Sequence, residues 1–139
     1  MPDASFYFDR ALNYERVDDY ENAIQDYDRA IQLDLKYVSA YNSRGLAYKN
    51  LKQYQRAIQD FDKAIQLDPN YAMAYGNRGS AYGLLGELQK SIDDFDKAIQ
   101  IEANALRYNN RGITYRMLGE DAKADADKAK ACSLDSKYC

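Results

Sequence analysis

The residues best suited to chemistry in this chain are two cysteines, Cys132 and Cys139, and a large set of arginines and aspartates; there is no histidine. Without a histidine, and with no base near either cysteine in sequence, the Ser-His and Cys-His pairs that activate a nucleophile cannot be assembled. No Cys/His set has the spacing of a zinc site, and neither G-x-x-x-x-G-K-S/T nor G-x-G-x-x-G is present to cradle phosphates. The acidic runs Asp60-Phe61-Asp62 and Asp93-Asp94-Phe95-Asp96 could hold a cation or move a proton, but they recur at helix-surface positions of a repeat. The reading is a protein that is not an enzyme and has no catalytic residues, no cofactor and no metal. On a continuous helix two cysteines seven residues apart would sit roughly 10 Å apart along the axis. The expectation is therefore two reduced thiols, Cys132 as a small core residue and Cys139 on a loose end, with an intermolecular Cys139 disulfide as the alternative.

The elements that position these groups follow from a period in the chain. Ala23, Ala57, Ser91 and Ala124 fall 34, 34 and 33 residues apart, and Ala30, Ala64, Ala98 and Ala131 repeat the same steps. A period in this range marks a stacked helical array. Four units, 4–37, 38–71, 72–104 and 105–138, make up one domain over 1–139. In the second, Tyr41, Leu46, Ala47, Tyr48 and Leu51, then Tyr54, Ala57, Ile58, Phe61, Ala64, Ile65 and Leu67, follow the i, i+3, i+4, i+7 spacing of two amphipathic helices. The break between the helices contains Gly86 in the third unit and Gly119 in the fourth, both suited to a left-handed C-cap. Asp68-Pro69-Asn70 closes the second unit, since Pro cannot continue a helix. Gly45, Gly79 and Gly112, with Ala11 in the first unit, are expected to face Ala57, Ser91 and Ala124 where two helices approach closely. Arg10, Arg44, Arg78 and Arg111 recur in step with Asp26, Asp60, Asp94 and Asp127. The two positions are equidistant from the turn, which predicts a ladder of Arg-Asp pairs within one unit or reaching into the next.

Tyr41, Gly45, Tyr48, Ala57, Phe61, Ala64 and Pro69 together resemble the tetratricopeptide repeat pattern, with Tyr in place of its Trp and Arg44 in place of its Leu. The resemblance covers essentially all four units. It implies an all-α, right-handed superhelical array of four helix-turn-helix hairpins, an α-α solenoid, whose first helices line a concave groove that takes extended peptides. By register the inward residues are Ser5, Phe8, Asp9, Leu12 and Glu15, then Asn42, Ser43, Leu46 and Lys49. The third unit adds Met73, Gly76, Asn77, Ser80 and Leu84, and the fourth Asn109, Asn110, Ile113, Arg116 and Met117. Asn42, Asn77 and Asn110 are candidates to grip a peptide backbone, because an amide both donates and accepts. An apolar entrance at Phe8, Leu12 and Leu46 and a basic exit at Lys49, Arg107 and Arg116 suggest a neutral or mildly acidic segment with one hydrophobic anchor. Some family members clamp the acidic tails of heat-shock chaperones with Lys and Asn on the opening helix and Lys and Arg on the third. Here Phe8 and Leu12 stand at the first pair of positions and Met73 and Asn77 at the second, which argues against that ligand.

The expected function is a protein-interaction adaptor, or scaffold, with a protein or peptide partner. The alternative is a self-associating scaffold, a homo-oligomer joined through the consecutive apolar residues Phe6, Tyr7 and Phe8. A net charge of -3 and a pI near 5.0 speak against nucleic acid and anionic lipid, which need clustered Lys and Arg. No run approaches a membrane span and no leader is visible at Met1-Pro2-Asp3, so cytoplasm is the expected compartment if the chain is complete. The last helix, over 121–135, carries Asp125 and Lys128 where other units carry Ile and an aromatic, and reads as a polar cap.

Overall fold

The computed structural model describes residues 1–139. Eight α-helices follow one another without a strand: α1 (Ala4–Arg16), α2 (Tyr20–Leu33), α3 (Val38–Asn50), α4 (Tyr54–Leu67), α5 (Ala72–Leu84), α6 (Leu88–Ile101), α7 (Ala105–Met117) and α8 (Asp121–Leu134). A 3-10 turn covers Ser136–Tyr138. The period of the sequence thus appears as four helical hairpins. Contacts group them into two compact units, Met1–Pro69 and Asn70–Cys139. In the first unit α1 packs on α2, α3 on α4, and α2 on α3; in the second α5 packs on α6, α7 on α8, and α6 on α7, with α5 also touching α7.

Each hairpin turns in the same way because each first helix ends in the same hydrogen-bonded cap. In α3, the N–H of Gln53 donates to the Tyr48 carbonyl and that of Lys52 to the Lys49 carbonyl, both at 2.9 Å, which is the Schellman arrangement. Asp19 and Tyr14, Glu87 and Tyr82, and Glu120 and Tyr115 repeat the longer bond. The motif needs one left-handed residue. Gly86 and Gly119 occupy it at φ +79°, as their sequence positions predict, while Asp18 and Lys52 adopt φ 58° and 62° with a Cβ. A side chain in that region costs roughly 1–2 kcal/mol. Lys52→Gly is therefore expected to raise stability and Gly86→Ala to lower it, each by about 1 kcal/mol, a difference in sign that urea unfolding would resolve.

Second helices fill the hairpins with rings. Tyr27 and Phe61 are fully buried, and Phe95 is 2% exposed. Where Gly45 has no side chain, the nearest atoms to a Cβ would be the Phe61 ring, at 2.6 to 3.0 Å; at Gly79 and Gly112 they include the Ser91 and Ala124 carbonyls. The expectation that small residues face each other holds for those two glycines, and Gly45, like Gly79, also makes room for an aromatic edge.

Tyr27 does more than fill space, since its hydroxyl donates to Oε1 of half-buried Glu15 at 2.9 Å. Burial pushes the Tyr27 hydroxyl well above its ordinary range, and the Glu15 carboxylate pushes the same way. The unfolded phenol ionises near 10 while the folded one stays protonated, so its contribution is complete below about pH 10 and is lost as pH rises past it. Tyr27→Phe should cost about 1 kcal/mol at neutral pH through the lost hydrogen bond. It should also flatten the alkaline decline, as denaturation at about pH 7 and about pH 11 would show.

The cysteines overturn the expectation of two free thiols. Helix α8 stops at Leu134, Asp135 is extended at φ -153° and ψ 114°, and its side chain accepts the Lys137 N–H. That bend and the 3-10 turn return Cys139 to within 4.6 Å of Cys132 between Cα atoms, where the two form a disulfide. The spacing argument failed because it assumed an unbroken helix. Cys132 is half-buried and not a core residue.

Candidate functional site

Most charge on the hairpins is already committed. Arg44 sends Nε and Nη2 to both oxygens of Asp60 on α4, at 2.9 and 2.7 Å, and Nη1 to Asp28 on α2 at 2.7 Å. Arg111 does the same with Asp127 on α8 and Asp96 on α6. Arg10 and Arg78 make the forked pair with Asp26 and Asp94. The predicted ladder thus exists in both senses, within a hairpin and, for Arg44 and Arg111, into the hairpin before. The four forked aspartates are only 5 to 6% exposed. Each of these carboxylates is held by an arginine on the first helix of its own hairpin.

In the first unit the outward face of the first helices is carried by α1 and α3. Phe8 and Leu12 are half-buried against the Ala11, Ala23 and Tyr27 cluster. The Phe8 ring stacks on Tyr37 at 5.0 Å and tilts against Tyr27 at 5.7 Å. Phe8 therefore packs into the hairpin and does not share one patch with Phe6, which is 45% exposed. Asn42 is 2% exposed, so its amide is not presented to solvent as a groove residue would be. Register alone put it inward, and nothing in the chain signalled that neighbours would close over it. Leu46 and Lys49 are half-exposed. Burial lowers the Lys49 amine from its usual range.

In the second unit the face belongs to α5 and α7. Met73 and Leu84 on α5 are 51% and 59% exposed, and Ile113 and Met117 on α7 are 54% and 57% exposed. Asn77, Ser80, Asn109 and Asn110 lie among them, half-buried. Arg107 does not belong to a basic exit: it is 8% exposed, and its guanidinium donates to the Glu102 carbonyl. Arg116 is open to solvent, but it pairs with Asp125 at 2.6 Å and Asp121 at 3.5 Å. Lys128 stands where α2, α4 and α6 place a ring, and a cavity of about 350 Å³ opens over Gly112 and Ala124, walled by Ile113 and Met117 and edged by Asn109, Arg116 and Lys128. No group of three or more Cys, Asp or Glu side chains is placed to hold a metal ion. No helix is long and apolar enough to cross a membrane.

Comparison with known proteins agrees with this geometry. The tetratricopeptide repeat family model matches residues 38–71 and 72–104, and a TPR repeat model matches 18–52. A crystal structure of MamA superposes with a TM-score of 0.88 at 27% identity, covering 96% of this chain and 79% of that one. The first TPR of Spaghetti (RPAP3), bound to the HSP90 peptide SRMEEVD, gives 0.81 at 25% identity, covering 84% of this chain and 93% of that one. The second TPR of that protein, bound to the same peptide, gives 0.69 at 32% identity, with coverage of 71% and 92%. No curated protein sequence matches the chain.

Proposed function

Because this chain belongs to the tetratricopeptide repeat family, we propose that it is a protein-interaction adaptor that holds an extended peptide segment of its partner against the outward faces of its first helices. The observation that carries this reading is the stripe on α5 and α7. Met73, Leu84, Ile113 and Met117 are more than half exposed there, spaced to share a helix face, and interleaved with the amides of Asn109 and Asn110. Apolar surface of this kind in a folded protein marks a contact. Amides can hold an extended backbone through donor and acceptor together without reading its side chains.

The chemistry of the segment follows from what is open. The cavity over Gly112 accepts one apolar side chain, with the Asn109 amide at its edge. The RPAP3 domains, solved with an acidic HSP90 peptide, support peptide capture as the general mode. Phe8, Leu12 and Met73 stand at clamp positions here, so a terminal two-carboxylate tail is not the expected ligand. Affinity should be micromolar, about -8 kcal/mol.

A displayed library of random peptides, followed by titration of the selected sequence into the isotopically labelled full chain, tests this reading. Shifts are expected at Asn77, Asn109, Asn110, Ile113 and Met117. Ile113→Ser with Met117→Ser should weaken binding about tenfold or more, with little change in Tm because both side chains are exposed. Shifts confined to the second helices or to the edge around Phe6 would sink the proposal.

A further inference from the structure

The four ladder arginines do not have equal surroundings. Arg44 and Arg111 each place Nη1 on an aspartate of the preceding hairpin, Asp28 at 2.7 Å and Asp96 at 2.9 Å. Arg10 makes the forked pair with Asp26 through Nε and Nη2, and its Nη1 meets no carboxylate. Its side chain is 47% exposed, against 20% for both Arg44 and Arg111. The apolar positions agree. Phe6 stands in register with Ala40 and Arg107, which are 0% and 8% exposed on the helices that receive α2 and α6, yet Phe6 is 45% exposed. The Phe6 and Tyr7 rings meet edge to face at 5.4 Å, and the Arg10 guanidinium lies 5.3 and 5.5 Å from their centroids. The edge of α1 is one half of the joint that the chain completes between α2 and α3 and between α6 and α7.

We propose that this edge docks an acidic amphipathic helix of a partner protein, whose carboxylate closes on Nη1 of Arg10 while its apolar face covers Phe6 and Tyr7. Charge complementarity defines the occupant, since a carboxylate fills the matching place where α2 meets α3 and where α6 meets α7. Helix-on-helix burial of this kind is an established mode of recognition. Size restricts it further. Phe6 is far larger than Ala40, so the incoming helix must leave room there. A second copy of this chain fits less well. Its Asp28 and Asp96 are engaged by its own Arg44 and Arg111. Its last second helix, α8, carries Ala129 in register with Asp28 and Asp96, and Lys128 in register with the buried rings.

The test uses a helix-stapled peptide with the α6 sequence, residues 88–101, titrated into the full chain with the Arg10 Nε–H and the Phe6 and Tyr7 amides observed. Saturable binding is expected, with shifts at those three residues and none at Lys49, Ile113 or Met117. The same peptide carrying Asp96→Asn should bind at least about tenfold more weakly. That variant leaves the protein untouched, so a folding defect cannot imitate the result, and Phe6→Ser in the protein should weaken both peptides alike. Equal binding of the two peptides, no binding up to about millimolar peptide, or shifts on the outward faces of α5 and α7 would overturn the proposal. Concentration-dependent dimerisation that Phe6→Ser abolishes and the peptide does not compete with would assign the edge to a second copy instead.

Discussion

Arg44→Met is expected to lower the stability of the protein by about 3 kcal/mol, the cost of leaving a buried carboxylate without its partner. Three nitrogens of this side chain hold two aspartates on two different helices, and Asp60 is only 5% exposed. Burial pushes the Asp60 carboxyl above its ordinary range while the Arg44 hydrogen bonds pull it down. Arg44 thus offsets part of the cost of burying that carboxylate, and its removal leaves the cost uncompensated. In a domain of this size the change should appear as a fall of roughly 10 °C in Tm. Arg116→Ala is the control, because its ion pairs with Asp125 and Asp121 lie at the surface and should be worth less than about 1 kcal/mol. A double-mutant cycle with Asp60→Asn should recover a coupling of the same order as the single loss. If Arg44→Met is no worse than Arg116→Ala, the ladder is ornamental.

Gly45→Ala should destabilise by about 2 kcal/mol even though alanine is the better helix former. The new methyl would stand 2.6 Å from Cε1 of Phe61, a ring that is fully buried. The same substitution at Gly76 meets only Arg107 Nε at 3.8 Å and should instead stabilise by up to about 1 kcal/mol. Pairing Gly45→Ala with Phe61→Leu should recover part of the loss. Thermal melts of the three variants decide the matter, and a stabilised Gly45→Ala would show that the hairpin is not closed by that contact.

How much of this was legible in the chain differs by level. Hairpins could be read because a helical hairpin is a local object: Gly86 and Gly119 announce the left-handed turn, and Arg44 and Asp60 lie equally far from it. The second half of each joint was also written in the sequence, since Asp28 and Asp96 recur in step while Ala129 breaks the series, but its geometry depends on how one hairpin lies on the next. The candidate site was less legible. Asn42 and Arg107 occupy positions that register assigns to an open face, and only packing shows both side chains covered. Lys49 and Arg116 look alike in sequence; the aspartates that neutralise Arg116 come from α8, one helix away. The disulfide was missed for a similar reason, because it turns on where α8 stops, and helix ends are set by a few backbone hydrogen bonds with little compositional trace.

The bond between Cys132 and Cys139 closes a covalent ring, and the ring contains a single basic residue, Lys137. Trypsin cutting after Lys137 would open the backbone without releasing Tyr138-Cys139. The severed dipeptide would stay tethered, so the fragment that carries the ring would gain the mass of one water from this cut and lose nothing. A reductant added afterwards would set the dipeptide free, so the order of the two reagents reports the oxidation state of these cysteines from mass alone.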